Sequence, residues 1–328
     1  MENLFAVVVT YNRADFLQSL LDSFSCLDTR PEGIIVVDNA SSDHTADVAS
    51  RAIAAGDLPI RYERLQENLG GSGGFSRGVE LALEAGAGWL WLMDDDVEVL
   101  PRAVDELDRF TSDYSCMIGR RYDANGSPFF WQHHFVEALG IFLPVSRDVF
   151  RHSDVFRTNV GNFEGMLMKA PVARSIGLPD PRFFITWDDL IYGWLAAQKT
   201  PVVYVNAFVI RKVRAQRQVD LGLRHLNDSS DLSRRYVMRN RGHVAQYLRA
   251  YGKFNRIGFG VGTALTFLKE MVRLGLVERT LKGSGALWRG WRESRAILSD
   301  QGWEPMPPVP APVGRTPPNS PPERDERA

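Results

Sequence analysis

Four times in the first hundred residues a short strand-forming run ends abruptly in polar side chains. The runs are AVVVTYN (Ala6 to Asn12), GIIVVDNASSD from Gly33, IRYERL from Ile60, and WLWLMDDD (Trp89 to Asp96). Unbroken apolar runs such as the first, second and fourth read as strands buried on both faces. Helical patterns lie between them. Phe16, Leu17, Leu20, Leu21 and Phe24 share one face after the first run. A short helix follows the second, and Val79, Leu81, Ala82 and Leu83 follow the glycine-rich NLGGSGGFSRG. Alternation of strand and helix predicts an α/β fold with a mostly parallel sheet flanked by helices.

The polar ends fall in a pattern. Asn12, Asp38, Asn68 and the Asp94 to Asp96 run all follow the C-terminal ends of expected strands. Open α/β sheets bind ligands along that edge, where loops converge. Any one of these residues alone is a turn or a helix cap. Four together point to a site.

The rest of the chain divides in three. Residues 1–210 are expected to form the α/β domain, with GMLMKA as a strand, Asp189 to Ala197 as a helix and PVVYV as a returning strand. Residues 211–300 read as a basic, mainly helical region. Residues 301–328 read as a disordered proline-rich tail, since nine of the eighteen prolines fall between Pro305 and Pro322. Charge follows the same division. The formal total is −1, yet residues 1–120 hold nine Arg, no Lys and 21 Asp plus Glu, a net −12, which leaves +11 for the remainder. Near-neutrality excludes a wholesale polyanion binder, and no nucleic-acid partner is expected. Cys26 and Cys116 lack metal-type spacing and fit a reducing compartment. MENLFAVVVTYN shows no basic leader or cleavage site, and the twelve uncharged residues between Arg256 and Lys269 are too few to span a bilayer. A cytoplasmic protein is expected, which makes the Asn-x-Ser triplets at Asn39, Asn125 and Asn227 chance matches.

The strongest chemical signal is the acidic run after WLWLM. Residues two apart on an extended chain face the same way, so Asp94 and Asp96 converge. Paired carboxylates repel unless a cation lies between them, and hard oxygen donors suit Mg²⁺ or Mn²⁺. The second signal is WDD at Trp187 to Asp189, ahead of an amphipathic helix. One Asp serves as an N-cap; the other can act as a general base. Trp187 offers a flat face for a sugar ring or simply a core contact. NLGGSGGFSRG lacks both the GK[ST] ending of a P-loop and the G-x-G-x-x-G spacing. Its glycines permit close backbone approach, and Asn68 and Arg77 can hold base or diphosphate groups. There is no G-x-S-x-G elbow, and His133-His134 lack the spacing of a zinc pair.

Thr10 to Asn12, VVDNASSD (Val36 to Asp43), NLGGSGGFSRG, WLMDDD and FFITWDD together resemble the family 2 glycosyltransferases, in order and spacing over about the first 200 residues. The resemblance implies a GT-A fold, a nucleotide-sugar donor, a divalent metal and inverting chemistry. NLGGSGGF and RRYVMRNRGHV are similar to bacterial galactofuranosyltransferases that start galactan on a polyprenyl-diphosphate-linked glycan; rhamnosyltransferases using dTDP-rhamnose share much of the pattern. Carried over, Thr10, Asn12, Asp38, Asn68, Arg77, Asp94 and Asp95 would hold the donor. Asp94 and Asp96 match the DxD positions, with Asp96 on the metal. Asp189 would be the base and Asp188 its supporting neighbour. Many relatives place a metal-ligating His after the strand behind the base helix. Here Arg211 and Lys212 stand near that position, with His225 and His243 as candidate substitutes, or Arg211 partly replacing the metal.

The basic segment 211–256 holds twelve Arg plus Lys against Asp220, Asp228 and Asp231. Arg239 and Arg241, with Arg211 and Trp187, are expected at the acceptor or the diphosphate. The apolar residues from Ile257 to Leu276 suit an anionic membrane surface, a contact with the catalytic domain or a homo-oligomer contact. A nucleotide-sugar-binding scaffold with weak catalysis is the alternative of another class.

Overall fold

The computed structural model describes residues 1–129, 132–145, 149–214, 219–220, 225–226 and 230–311 of the 328. The chain opens as the pattern predicts: β1 (Leu4–Thr10), α1 (Ala14–Ser25), β2 (Gly33–Asp38), α2 (Thr45–Ala55), β3 (Ile60–Arg64), α3 (Gly70–Glu84) and β4 (Trp89–Asp94). These four strands are parallel and lie in the order β3-β2-β1-β4. The chain therefore turns back across β1 after β3, leaving a switch point between β1 and β4. There Val9 pairs with Asp94, while Thr10 pairs with Asp38 on the other side. A switch point at the carboxyl ends of parallel strands is where such sheets leave a crevice.

Beyond β4 the sheet becomes mixed. It continues through β5 (Val97–Val99), α4 (Ala103–Asp108), β6 (Cys116–Tyr122), β7 (Pro128–Phe129), the hairpin β8 (His133–Val136) and β9 (Ile141–Pro144), and β10 (Val155–Thr158). Then come β11 (Met166–Lys169), α5 (Ala170–Ile176), α6 (Asp188–Ala197) and β12 (Val202–Lys212). β11 runs antiparallel between β4 and β6, and β12 runs parallel to β6. The N-terminal end of β11 and the C-terminal ends of β1, β4, β6 and β12 consequently share one edge.

Alternate strand residues face two cores. Ala6, Val8, Ile34, Val36, Trp91 and Met93 pack against α1, whose Leu17, Leu20, Leu21 and Phe24 are buried as the sequence pattern predicts. Val7, Val9, Ile35, Val37, Leu90 and Leu92 face the other core with Phe75 and Val79 of α3. The glycine-rich segment NLGGSGGFSRG forms little of a loop. It is helical from Gly70, and its glycines let α3 lie close on β1. A Cβ at Gly74 would come within 2.4 Å of Val9 Cγ1, and one at Gly78 within 2.4 Å of Val7 Cγ1.

The chain closes with β13 (Val219–Asp220), β14 (His225–Leu226), α7 (Asp231–Arg239), α8 (Arg241–Ala250), α9 (Arg256–Val272) and α10 (Ser284–Ser299). A boundary at residue 210 does not match the packing. It cuts β12, and Val244, Ala245, Tyr247 and Leu248 of α8 belong to the same core as the sheet. The first eleven residues of the expected disordered tail are ordered instead. Residues 301–311 pack on the α/β core: Trp303 Nε1 donates to His243 Nδ1 at 3.0 Å, and the Val309 N–H to the Arg174 carbonyl at 2.8 Å. An indole and a valine supply the apolar contacts that prolines alone do not. Residues 312–328, where the rest of the expected tail falls, lie outside the described residues.

Candidate active site

Among the described residues, carboxylates of three segments gather at the shared edge. Asp94 and Asp96 come from the end of β4 and the turn after it, Glu164 from the loop before β11, and Asp188 and Asp189 from the start of α6. Carboxylate oxygens of Asp94, Asp96 and Glu164 all lie within 4.8 Å of one another. Glu164 has no counterpart among the expected ligands. It is aimed there because the Gly165 N–H bonds the Leu92 carbonyl, which fastens its loop to β4. Gly165, at φ +88°, supplies the left-handed turn this requires.

Among the described residues, three cations face the cluster. Lys212 Nζ lies 2.7 Å from Asp96 Oδ1 and 2.5 Å from Glu164 Oε1. The Arg121 guanidinium also pairs with Glu164. Arg13 Nη1 donates to Asp95 Oδ1 at 2.9 Å and stands 3.7 Å from Asp96. They do not neutralise the cluster. Burial, with crowding by Asp96, Glu164 and Asp95, pushes the Asp94 carboxyl up to about 7 despite Lys212. Burial likewise raises Asp95 against the opposing pull of Arg13.

Asp188 and Asp189 follow a strained turn. Phe184, Thr186 and Trp187 all take positive φ, at 64°, 70° and 77°. Asn240 holds this turn: its Nδ2 reaches the carbonyls of Phe183 and Ile185 at 2.8 Å and of Thr186 at 2.9 Å. The two carboxylates lie at the positive end of α6. Burial lifts Asp188 to about 6. Asp189 is raised well above the usual carboxylate range by burial, then by Asp188, with Asp94 and Glu164 adding to it. The WDD and DDD motifs thus act on one another electrostatically.

The loops after β1 and β2 form the adjoining wall. Asn12, at φ +51°, accepts the Ser42 N–H at 2.7 Å, and its own N–H donates to Ser41 Oγ at 2.8 Å. Asp38 is fully buried, accepting from Tyr62 at 2.6 Å and from the Ser41 N–H at 2.8 Å. Burial, with Asp38 alongside, pushes the Tyr62 hydroxyl pKa up. Thr10 is buried at the switch point, beside Asp95.

Other expected site residues are hydrogen-bonded or ion-paired within the fold. Asn68 Oδ1 accepts the Gly70 N–H at 2.8 Å and so starts α3. Arg77 is held by Glu63 and Glu80. Trp187 is only 8% exposed; its Nε1 bonds the Val237 carbonyl at 3.0 Å and its ring packs on Phe142, so it offers no open platform for a sugar. Arg211 points outward to Glu98. Arg239 bonds the Arg182 carbonyl and Asn240 Oδ1, both at 2.8 Å. Arg241 is wholly buried among neutral acceptors, including the Gly140 and Leu139 carbonyls and the Thr263 hydroxyl, and burial pushes it down to about 9. It fastens α8 to the β8–β9 turn and to α9 rather than meeting a diphosphate. His243 is committed to Trp303, and burial lowers it to about 4; the His225 side chain lies outside the described residues. Lys212, not Arg211 or a histidine, is the β12 residue that faces the acids.

Three hard carboxylate donors at this spacing fit a divalent cation such as Mg²⁺ or Mn²⁺. Beside them, a carboxylate with a raised pKa at a helix start fits a general base.

The family described as "Glycosyl transferase family 2" matches residues 5–170. The galactofuranosyltransferase GlfT1 of Mycobacterium tuberculosis is 33% identical over 202 residues, covering 58% of this chain and 62% of that protein. The chain thus matches less than two thirds of that relative's length. Among solved structures, S. aureus TarS 1-349 superposes with a TM-score of 0.57 at 12% identity, covering 90% of this chain and 81% of that one. GalNAc-T7, solved with UDP, GalNAc and Mn²⁺, gives 0.57 at 12% identity over 90% of this chain and 54% of its own. At such identities the likeness is one of fold.

Proposed function

The chain belongs to glycosyl transferase family 2, and we propose that it is an inverting, metal-assisted transferase that moves a sugar from a nucleotide-diphosphate donor to a lipid-linked glycan. Asp189 takes the proton from the acceptor hydroxyl as that oxygen bonds to the anomeric carbon. The bond from that carbon to the diphosphate breaks on the opposite face, and its electron pair leaves with the diphosphate. One displacement inverts the centre, with Asp188 holding the acidic pair in place. Asp94, Asp96 and Glu164 would hold Mn²⁺ or Mg²⁺, whose charge when bound neutralises the leaving diphosphate. Thr10, Asn12, Asp38 and Asp95 shape the wall that receives the nucleotide. The carrying observation is the convergence at one sheet edge of a base-like carboxylate and a three-carboxylate cation site.

The donor is UDP-galactofuranose, a reading supported by the identity to GlfT1. Binding and product formation with UDP-galactofuranose, dTDP-rhamnose and UDP-glucose, each with and without Mn²⁺, test it. Turnover of UDP-galactofuranose is expected. Preference for dTDP-rhamnose would make the protein a rhamnosyltransferase, and tight binding without product would make it a scaffold.

The acceptor's lipid places the enzyme peripherally at an anionic membrane, on the cytoplasmic face. No helix among the described residues is long and apolar enough to cross a membrane. Yet α9 and the turn after it expose Ile257, Val261, Leu265, Leu268, Val272 and Leu276 in one stripe, Ile257 at 82% and Leu276 at 72%. A groove of about 1090 Å³ between α9 and α10, lined by Phe254, Phe259, Phe267, Met271, Trp288 and Trp291, lies alongside. The acids Glu270, Glu278 and Glu293 are turned to Arg273, Arg234 and Arg235, while Arg256, Arg279, Lys282, Arg289 and Arg292 remain exposed. An exposed apolar stripe together with exposed cations in the same C-terminal region complements anionic headgroups.

A further inference from the structure

Lys212 is the last residue of β12 and is only 3% exposed, and its ammonium bridges two of the three carboxylates of the cation site. At 2.7 Å from Asp96 Oδ1 and 2.5 Å from Glu164 Oε1, Nζ sits against two of the three carboxylates that would hold an ion. A histidine at this position would add a ligand to a metal. A lysine competes with one. Two cations carrying three charges between them cannot share that space, so an entering ion must drive the ammonium out. Lys212 then needs another anion, because a buried ammonium without a partner is costly.

We propose that Lys212 is a resident counter-ion that makes metal binding conditional: a divalent cation enters between Asp96 and Glu164 only when a diphosphate arrives to receive the displaced ammonium. The diphosphate arm rests on the nucleotide-sugar reading above; the displacement itself does not. Lys212 pairs with both Asp96 and Glu164 and so offsets part of the repulsion between them. With donor bound, the same ammonium neutralises a diphosphate oxygen beside the metal. Metal and donor thereby bind as a unit.

The test is Mn²⁺ binding followed by loss of the free-ion signal in electron paramagnetic resonance, with wild type, Lys212→Gln and Lys212→Arg, each with and without UDP. Wild type should bind Mn²⁺ weakly alone and at least about tenfold more tightly with UDP, within the usual range of coupling between sites. Lys212→Gln should bind Mn²⁺ at least about tenfold more tightly than wild type without UDP, with much of the coupling gone. Lys212→Arg, which keeps the charge, should retain the wild-type dependence. Equal Mn²⁺ affinity of wild type and Lys212→Gln in the absence of UDP overturns the displacement. Equal wild-type affinity with and without UDP, when UDP itself binds, overturns the conditional step. If UDP binds to none of the proteins, the nucleotide-sugar reading and the conditional step fall together, while the metal titrations alone still decide the displacement. Should Lys212→Gln not fold, Lys212→Met, which also removes the charge without adding a hard metal ligand, replaces it with the same expectation.

Discussion

The side-chain amide of Asn240 donates to the carbonyl of Thr186 at 2.9 Å, two residues before Asp188. The same nitrogen serves the Phe183 and Ile185 carbonyls, so one C-terminal side chain fixes the left-handed turn that presents both acids. Asn240→Ala would leave these carbonyls without that donor, at a cost of about 1–3 kcal/mol for each group left unsatisfied. The expected result is a lower Tm and a kcat reduced by about tenfold or more, since small misplacements of a positioned group are costly. UDP affinity should change little, because the donor wall is built elsewhere. Equal losses in UDP affinity and kcat would mean that Asn240 supports the whole fold and not this turn.

Asp189→Asn keeps the shape and the Leu190 N–H contact but cannot take a proton. Transfer should fall by about 10²–10⁴, the usual contribution of a general base, with the Kd for UDP nearly unchanged. Near wild-type turnover in a radiolabelled-sugar assay would remove Asp189 from the mechanism.

Much of this site was legible in the sequence, and the missing parts share a cause. Asp94, Asp96 and Asp189 stand beside runs whose secondary structure is plain from patterning. Glu164 stands before a strand, the wrong end for a site in an all-parallel sheet. Only because β11 is antiparallel to β4 does that end reach the carboxyl edge, and strand direction is a tertiary property. Lys212 and Arg211 are adjacent, and which one faces the acids depends on the register of β12 in the sheet. The arginines of α7 and α8 misled for another reason. Charge suggests solvent or ligand, whereas Arg241 is consumed by carbonyl groups in the interior.

The glycines of α3 were legible as a demand for close approach, but not as to what approaches. The structure answers with β1, and Gly78→Ala tests it. The added Cβ would lie 2.4 Å from Val7 Cγ1 and 3.3 Å from Val37 Cγ2. Overpacking of this kind costs about 1–3 kcal/mol. Thermal melts should show a clear drop in Tm, while the remaining folded protein binds UDP with wild-type affinity. A phosphate-cradling role for this segment predicts the reverse.

Stability should fall as pH rises across the weakly acid range. Asp94 and Asp188 are shifted from 3.8 to about 7 and about 6. Between the ordinary and the raised values the folded chain holds protons that the unfolded chain has released, and such stabilisation is lost as pH climbs through the raised values. Asp43 and Asp108, held low by hydrogen bonds, act in a separate window: their contribution is lost below the ordinary carboxylate value. His243, lowered by burial to about 4, opposes the trend within this window, one group against the raised Asp94, Asp95, Asp188 and Asp189. Ion-free protein should therefore melt at progressively lower temperature from about pH 4 to about pH 7, with a shallower decline in Asp94→Asn. Mn²⁺ with UDP should recover stability most at the upper end, where the ligands are deprotonated. A Tm that climbs steadily over this window would contradict the assignment of proton-holding acids.

The α9 stripe makes the membrane claim quantitative. Burial of an exposed leucine-sized side chain is worth about 1.5–3 kcal/mol at full transfer, so a triple change of Val261, Leu265 and Leu268 to Ser should weaken vesicle binding by well over tenfold. Exposed arginines add an electrostatic share that salt screens. Co-sedimentation with phosphatidylglycerol vesicles should therefore exceed that with phosphatidylcholine and decline with ionic strength, and Arg289→Glu with Arg292→Glu should remove most of that salt dependence. If the triple variant instead abolishes a concentration-dependent dimer and leaves vesicle binding untouched, the stripe is a contact between copies and the membrane reading fails. The two outcomes separate cleanly because a dimer buries the stripe without needing anionic headgroups, whereas a bilayer engages stripe and arginines together.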